Sequence, residues 1–358
     1  MDLSVLVTPT LQWYDQHKRQ LPWRKDKNPY HIWVSEIMLQ QTRVEAVIPY
    51  YERFMQALPT IEALAECEED PLLKLWEGLG CYNRVRNMQK AAQLICAQYD
   101  GQMPQTYEQI VALPGIGPYT AGAIASIAFE EQVPAVDGNV LRILSRVSED
   151  DRDILKDATK KRMTAELQQI MPKEAGVFNQ ALMEIGALVC IPNGQPKCEE
   201  CPWQPYCQAC KHETYDRLPV KTKAKPRRIE EKTVLLIRDG EKIVLRKRPP
   251  KGLLAGLYEL PNLPGYLKEE ELLAFVRSQN LAPLQIKKLP DAKHIFSHIE
   301  WLMQGYLVQV ADVDSFHSDE ALSKGPEDYL LVEIEKTKNA YAIPSAFDRY
   351  AAYIALRD

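Results

Sequence analysis

Apolar residues in the first half of the chain recur at three- and four-residue intervals, the spacing of a helix face turned toward a core. Ile32, Val34, Ile37 and Met38 follow it, as do Leu72, Leu73, Leu75 and Trp76, and again Leu167, Ile170 and Met171. Thr60, Asp70 and Thr106 stand ahead of such runs and read as N-caps. No period-two alternation occurs before about residue 190, so this region is predicted to be all helix. Near residue 211 the texture changes, and LPVKTKAKPRRIEEK is basic, proline-punctuated and poor in apolar residues, as a linker is. Beyond it, TVLLIR and KIVLRK flank Asp239-Gly240, a hairpin signal. Helical spacing returns over 268–279, strand-like stretches over 284–310, and a last helix over 345–356. The predicted architecture is multidomain: an all-α domain over 1–210, a linker over 211–229, and an α+β domain over 230–358.

Length agrees with that division, since 358 residues exceed what one core usually serves. Charge changes the picture in one respect. The net charge is −5, split as −7 over residues 1–210, +5 over 211–229 and −3 over 230–358. Composition alone therefore leans against nucleic acid, and phosphate binding by the first domain would need a local patch or backbone N–H groups. No apolar run reaches the roughly 18–20 residues of a membrane span. The N-terminal MDLSVLVTPTLQWYDQHKR has no basic, apolar and cleavable signal pattern, which argues against secretion.

Of eight cysteines, Cys67, Cys81 and Cys96 lie scattered in apolar, helix-like sequence, where free thiols are common. The other five, Cys190, Cys198, Cys201, Cys207 and Cys210, crowd into 21 residues. Without an export signal, metal ligation is favoured over disulfides. The ladder Cys190-x7-Cys198-x2-Cys201-x5-Cys207 lacks the two tight pairs of most structural zinc sites. A cubane iron–sulfur cluster fits it better, although spacing does not exclude zinc.

Three further features could carry chemistry. Leu113-Pro114-Gly115-Ile116-Gly117-Pro118 separates two helical segments, and Gly115 and Gly117 would permit a tight reversal with positive φ. The second helix then begins with outward N–H groups suited to an anion, though a plain helix corner uses the same residues. Glu36 sits in the apolar segment WVSEIMLQQT, where burial would raise its pKa into proton-donor range; a solvent-facing glutamate is the alternative. Asp137, in PAVDGNV, opens a helix and could be an N-cap and nothing more.

Taken together and in order, Leu21-Pro22-Trp23-Arg24, WVSEIMLQQT, Gly78-Leu79-Gly80, LPGIGPYT, AVDGNV, FNQAL around Gln180 and the cysteine ladder resemble the MutY family of adenine DNA glycosylases. That family belongs to the helix–hairpin–helix glycosylase superfamily, and the resemblance runs over nearly all of residues 13–207. It implies a [4Fe–4S] cluster on Cys190, Cys198, Cys201 and Cys207, and duplex DNA bearing adenine opposite 8-oxoguanine or guanine as substrate. The adenine would be flipped out of the stack. Glu36 would protonate it, and Asp137 would stabilise the oxocarbenium-like sugar, as paired carboxylates do in glycosidases. Asn139 and Tyr119 would orient Asp137 and the DNA backbone. Trp23, Arg24, Leu39, Thr42, Leu79, Gly115, Gly117 and Gln180 fall on the family's base and backbone contacts, and Gln41 on its duplex wedge. Relatives that also cut the strand place a lysine where this chain has Tyr119, which cannot form a Schiff base. The resemblance thus implies a monofunctional enzyme. With no export signal or membrane span, a cytoplasmic location is expected, associated with the nucleoid when on DNA, and a monomer is expected although the sequence does not report oligomeric state. A sliding-clamp partner is compatible with that role, but no residue pattern specifies one.

Two departures stand out. Cys81 occupies a position where the family usually has an aromatic ring, and the first cysteine interval is one residue longer than usual. In the second domain, VLLIRDGEKIVLRKR and GLLAGLYELPNLP resemble the opening of a Nudix hydrolase. Glu269-Glu270-Glu271 lacks the spacing and Arg-Glu pair needed to hold magnesium, so these charges read as a solvated helix start. Phe296-Ser297-His298 matches the loop with which the family recognises 8-oxoguanine. Two rivals remain, a scaffold that binds DNA without catalysis and a bifunctional lyase. Glu36 with Asp137 opposes the first, and Tyr119 the second.

Overall fold

A computed structural model describes residues 2–223, 225–279, 281–311 and 329–354. The chain divides into two compact units, Met1–Glu66 with Arg86–Ala224, and Cys67–Val85 with Lys225–Asp358. The division after residue 224 falls inside the basic segment read as a linker. Cys67–Val85, however, clusters with the second unit, which a single cut near 210 does not foresee.

The first unit is helical, in keeping with its three- and four-residue periodicity. Its elements are α1 (Val7–His17), α2 (Pro29–Met38), α3 (Val44–Ala57) and α4 (Ile61–Glu66). Then, after α5 (Glu69–Leu75) of the second unit and α6 (Asn83–Tyr99), come α7 (Tyr107–Val111), α8 (Pro118–Phe129), α9 (Gly138–Ser148), α10 (Asp157–Gln168), α11 (Ala175–Glu184) and α12 (Gln208–Lys211). A core built from Trp13, Val140, Leu144, Met163, Phe178, Leu182 and Trp203 ties α1, α9, α10 and α11 together. α8 is apolar nearly all round and buries Thr120 through Ser126, its small Ala and Gly side chains suiting a helix enclosed by neighbours. Thr60 and Thr106 cap as expected, accepting from Ala63 N–H at 3.2 Å and Gln109 N–H at 3.4 Å. Asp70 does not cap: it lies inside α5 behind Glu68, and its carboxylate accepts from Lys247 Nζ at 3.1 Å and the Tyr258 hydroxyl at 2.7 Å. Long-range partners outcompeted the local cap, which sequence spacing cannot reveal.

In the second unit, β1 (Arg228–Asp239), β2 (Lys242–Lys247), β3 (Tyr258–Glu259), β4 (Asn262–Pro264), β5 (Ala282–Ile295), β6 (Ile299–Ala311) and β7 (Tyr329–Glu333) form one mixed sheet. Its main path is β3-β2-β1-β6-β5, with β4 on β1 and β7 on β2. β1 and β6 run parallel from Arg228 opposite Ile299 to Arg238 opposite Gln309. The hairpin turn is Gly240-Glu241, one residue later than Asp239-Gly240, because Asp239 pairs with Lys242. The apolar run of β1 is buried on both faces, as a central strand requires. Val234 and Leu236 pack with Trp301, Met303, Phe347 and Tyr350, while Leu235 and Ile237 pack with Leu272, Val276 and Val308. α13 (Glu269–Ser278) supplies the second layer. The predicted last helix is shorter and broken: α15 covers Asp348–Ala351 between single 3-10 turns, after α14 (Ile334–Ala340), which was not foreseen. Among the described residues no helix is long and apolar enough to cross a membrane.

Candidate active site

A cleft of about 1520 Å³ opens in the first unit, and Glu36, Tyr119, Asp137 and Asn139 all line it. Glu36 arrives on the last turns of α2, among Trp33, Val34, Ile37 and Met38, and is only 6% exposed. The Tyr119 hydroxyl, from the first turn of α8, donates to Glu36 Oε2 at 2.5 Å. Burial drives the Glu36 carboxyl up to about 7; the Tyr119 hydrogen bond opposes the rise, the Asp137 charge adds to it, and Arg24 opposes it again. A carboxylic acid held near neutrality can donate a proton and then hold the charge. Tyr119 itself, buried beside two carboxyls, is held far above its ordinary value and stays a neutral donor.

Asp137 is the N-cap of α9 and also lines the cleft, so capping the helix does not remove it from the site. Its Oδ1 accepts from Val140 N–H at 2.7 Å and its Oδ2 from Asn139 Nδ2 at 2.8 Å. Burial raises its pKa, and these two donors favour the carboxylate and resist the rise. The approach to Asp137 is pinned by Asn179, fully buried, which accepts from Ala135 N–H at 3.0 Å and donates to Val133 O at 2.9 Å. Asn139 therefore meets Asp137, as expected, whereas Tyr119 meets Glu36 instead.

Trp23, Arg24, Leu39, Gln41, Thr42 and Gln180 line the same cleft. Trp23 is nearly buried, edge-on to Tyr51 at 5.3 Å. Gln41 is exposed and left-handed, with φ of 64°, a strained conformation for a non-glycine residue at the turn after α2. Gln180 accepts from the Tyr14 hydroxyl at 3.1 Å, and Arg24 lies 5.9 Å from the same ring. Sequence reasoning missed Arg19 and Glu184 in this cleft. Glu184 stands four residues after Gln180, one helical turn along the same face of α11, and that spacing was the available signal.

Other predicted residues lie elsewhere. Gly115 has the expected positive φ of 75°, but Gly117 is extended and caps α8, so one glycine, not two, makes the reversal. A Cβ at Gly117 would meet nothing within 4 Å, which leaves the start of α8 bare for a ligand. Leu79 belongs to the second unit, in a turn whose carbonyls accept from Arg84 (Leu79 O, 2.6 Å) and Trp76 Nε1 (Gly80 O, 3.0 Å). Cys81 follows with φ of 42° and is exposed, while the neighbouring Tyr82 ring is 6% exposed and so unavailable for stacking. Phe296, Ser297 and His298 form the β5–β6 hairpin, closed by Phe296 N–H to Ile299 O at 2.8 Å. Ser297 and His298 are exposed; Phe296 packs edge-on to Trp301 and His294. Glu271 of the acidic triplet caps α13 through Lys268 N–H at 2.7 Å.

Cys190, Cys198, Cys201, Cys207 and Cys210 line one small cavity in the first unit, and none is joined in a disulfide. Cys190, Cys201 and Cys207 also pack on the helical core. Two buried arginines of α9 serve this loop: Arg142 donates to Cys190 O at 3.0 Å, and Arg146 to Cys190 Sγ at 3.3 Å and Ile191 O at 2.9 Å. Among the described residues no three His, Cys, Asp or Glu side chains converge as ligands of a single ion would. The cysteines gathered round one cavity would suit a sulfide-bridged iron cluster held by their terminal thiolates, whose negative charge the adjacent guanidinium would offset.

Comparison with known proteins follows the same division. The model of the HhH-GPD superfamily of base excision DNA repair proteins matches residues 34–173, and that of the NUDIX domain residues 233–353. Adenine DNA glycosylase of Rattus norvegicus is 36% identical, covering 85% of this chain and 70% of its own length. The protein of that name from Buchnera aphidicola subsp. Baizongia pistaciae is also 36% identical, covering 84% of each. Among solved structures, a thermostable thymine-DNA glycosylase is similar with a TM-score of 0.54 and 26% identity, over 59% of this chain and 97% of that one. A trapped endonuclease III–DNA covalent intermediate shares the fold, with a TM-score of 0.51 at 21% identity over 59% of this chain and 97% of that one. A helical base-excision-repair fold is thus followed by a Nudix-like mixed-sheet domain.

Proposed function

This chain belongs to the adenine DNA glycosylase family, and from that premise we infer that it excises adenine mispaired with 8-oxoguanine or guanine in duplex DNA. Adenine removal in base excision repair is its activity, by cleavage of an N-glycosyl bond. The choice of mispair and the residues below are our reading.

The mispaired adenine leaves the stack and enters the cleft, since its glycosidic bond is shielded within the duplex. Glu36, protonated near neutral pH, gives its proton to the base. The C1′–N bond then breaks, and its electron pair leaves with adenine. Asp137, kept as a carboxylate by Val140 N–H and Asn139, stabilises the sugar cation across the step. Water adds at C1′, and the proton it sheds returns to the Glu36 carboxylate, leaving an abasic site. Tyr119 offers no amine, so the strand stays intact. Trp23, Arg24, Leu39, Thr42 and Gln180 form the adenine's surroundings, Gln41 enters the duplex beside it, and Gly115 with Gly117 brings bare N–H groups to the backbone phosphate.

Cys190, Cys198, Cys201 and Cys207 would hold a [4Fe–4S] cluster, which supplies a rigid anchor for the loop and no step of the excision. In the second unit, Ser297 and His298, exposed at a hairpin tip, and Phe296, behind them, read the 8-oxoguanine. Leu79 contributes to the duplex contact. The molecule acts as a monomer.

The observation that carries this reading is that Glu36 and Asp137, a hundred residues apart in the chain, line one cleft with Tyr119 bonded to the acid. The test is incubation with an A:8-oxoguanine duplex, with and without alkali. Cleavage only after alkali supports it; no cleavage supports a non-catalytic binder, and cleavage without alkali a lyase.

A further inference from the structure

In the cleft wall, Glu184 is 1% exposed and bound by two arginines. Arg19 donates through Nε to Oε2 at 2.9 Å and through Nη2 to Oε1 at 2.8 Å, a bidentate pair. Arg24 donates through Nη2 to the same Oε1 at 2.9 Å, and its Nη1 reaches Arg19 O at 3.3 Å. Both arms of the Arg24 guanidinium are thus aimed by this cluster. We infer that Glu184 is a positioning residue for adenine excision, fixing Arg24 against the extruded base and offsetting its charge at Glu36. The inference rests on the proposed reading of Arg24 as a base contact.

Three observations bear on it. Burial alone would raise the Glu184 carboxyl, yet Arg19 and Arg24 hold it below its ordinary value, so it is a charged partner and not a neutral filler. The helix changes form immediately after it: α11 ends at Glu184 and Ile185–Val189 is a π turn, an irregularity often found at functional sites. That turn packs against Asn139, the hydrogen-bond partner of the other carboxylate, because a Cβ at Gly186 would lie 2.8 Å from Asn139 Cβ. One short segment therefore braces the Arg24 side and the Asp137 side of the cleft together. A surplus arginine matters here because Arg24 favours the ionised form of Glu36, in opposition to Asp137 and burial, while Tyr119 also favours ionisation. With Glu184 neutral, Arg19 and Arg24 would stand on this wall with only Glu45, exposed and 3.7 Å from Arg19, to offset them.

The test uses the full chain under single-turnover conditions on an A:8-oxoguanine duplex. Glu184→Gln should slow adenine release at least tenfold and change the dissociation constant for an uncleavable 2′-fluoro-adenosine duplex less than threefold. The alkaline limb of its rate profile should move to lower pH. On an Arg24→Gln background the same change should add less than a twofold effect. Glu184→Asp, which keeps the charge and shortens the reach, should slow release with the limb unmoved, and it carries the test if the glutamine variant does not fold. Wild-type rates in either variant, or effects that multiply fully with Arg24→Gln, would overturn the inference and leave the glycosylase reading standing. Failure of the wild type to release adenine would instead overturn the reading beneath it.

Discussion

Tyr119 donates its phenolic hydrogen to Glu36 Oε2 at 2.5 Å, from the first turn of one buried helix to the last turns of another. The bond does two opposed things. It fixes the acid in the cleft, and it favours the ionised form against the burial that keeps the proton on. Tyr119→Phe should therefore raise the Glu36 pKa above about 7 and move the alkaline limb of the excision profile upward. Release at pH 7 should slow by about tenfold through lost positioning, less than the 10²–10⁴ that follows loss of a general acid. A limb that moved to lower pH would contradict this assignment.

Glu36 should cost the protein stability. Its folded carboxyl keeps its proton up to about 7, against 4.5 for an ordinary one. The native state therefore binds more protons between those values, and stability contributed by this group falls as pH rises through the window. Above pH 7 the full deficit is on the order of 3 kcal/mol. Glu36→Gln should raise the urea midpoint relative to wild type at pH 8 and leave it nearly unchanged at pH 4.5.

Much of this was legible in the sequence, for local reasons. Period and caps locate the helices, and the apolar residues on both sides of Glu36 in the chain offer a buried acid beside the solvent-facing alternative, between which the structure decides. What stayed hidden was pairing. Tyr119 was assigned to Asp137 and the DNA backbone, but the choice between two nearby carboxylates depends on how α8 crosses α2. Asp70 looked like an N-cap until Lys247 and Tyr258 claimed it. Glu184 carried no motif of its own; its role depends on two arginines about 160 residues earlier.

Cysteine variants should separate ligand from bystander. Replacing Cys190, Cys198, Cys201 or Cys207 with serine should lower the iron and sulfide content and the visible absorption of the purified protein. Cys210→Ser should retain both, although Cys210 lines the same cavity. Loss of iron in Cys210→Ser alone would reassign the ligands.

Ser297, exposed at the tip of the β5–β6 hairpin, can be changed without touching the sheet core. Ser297→Ala should narrow the preference for 8-oxoguanine over guanine opposite adenine by about five- to tenfold, the scale of one lost hydrogen bond. Equal discrimination in variant and wild type would remove this hairpin from lesion recognition.

The most direct measurement is single-turnover adenine release from an A:8-oxoguanine duplex by Glu36→Gln, alongside binding of the same duplex. The account predicts tight binding with base release reduced at least a hundredfold, because the amide has no proton to give. Release at the wild-type rate would show that another group protonates the base.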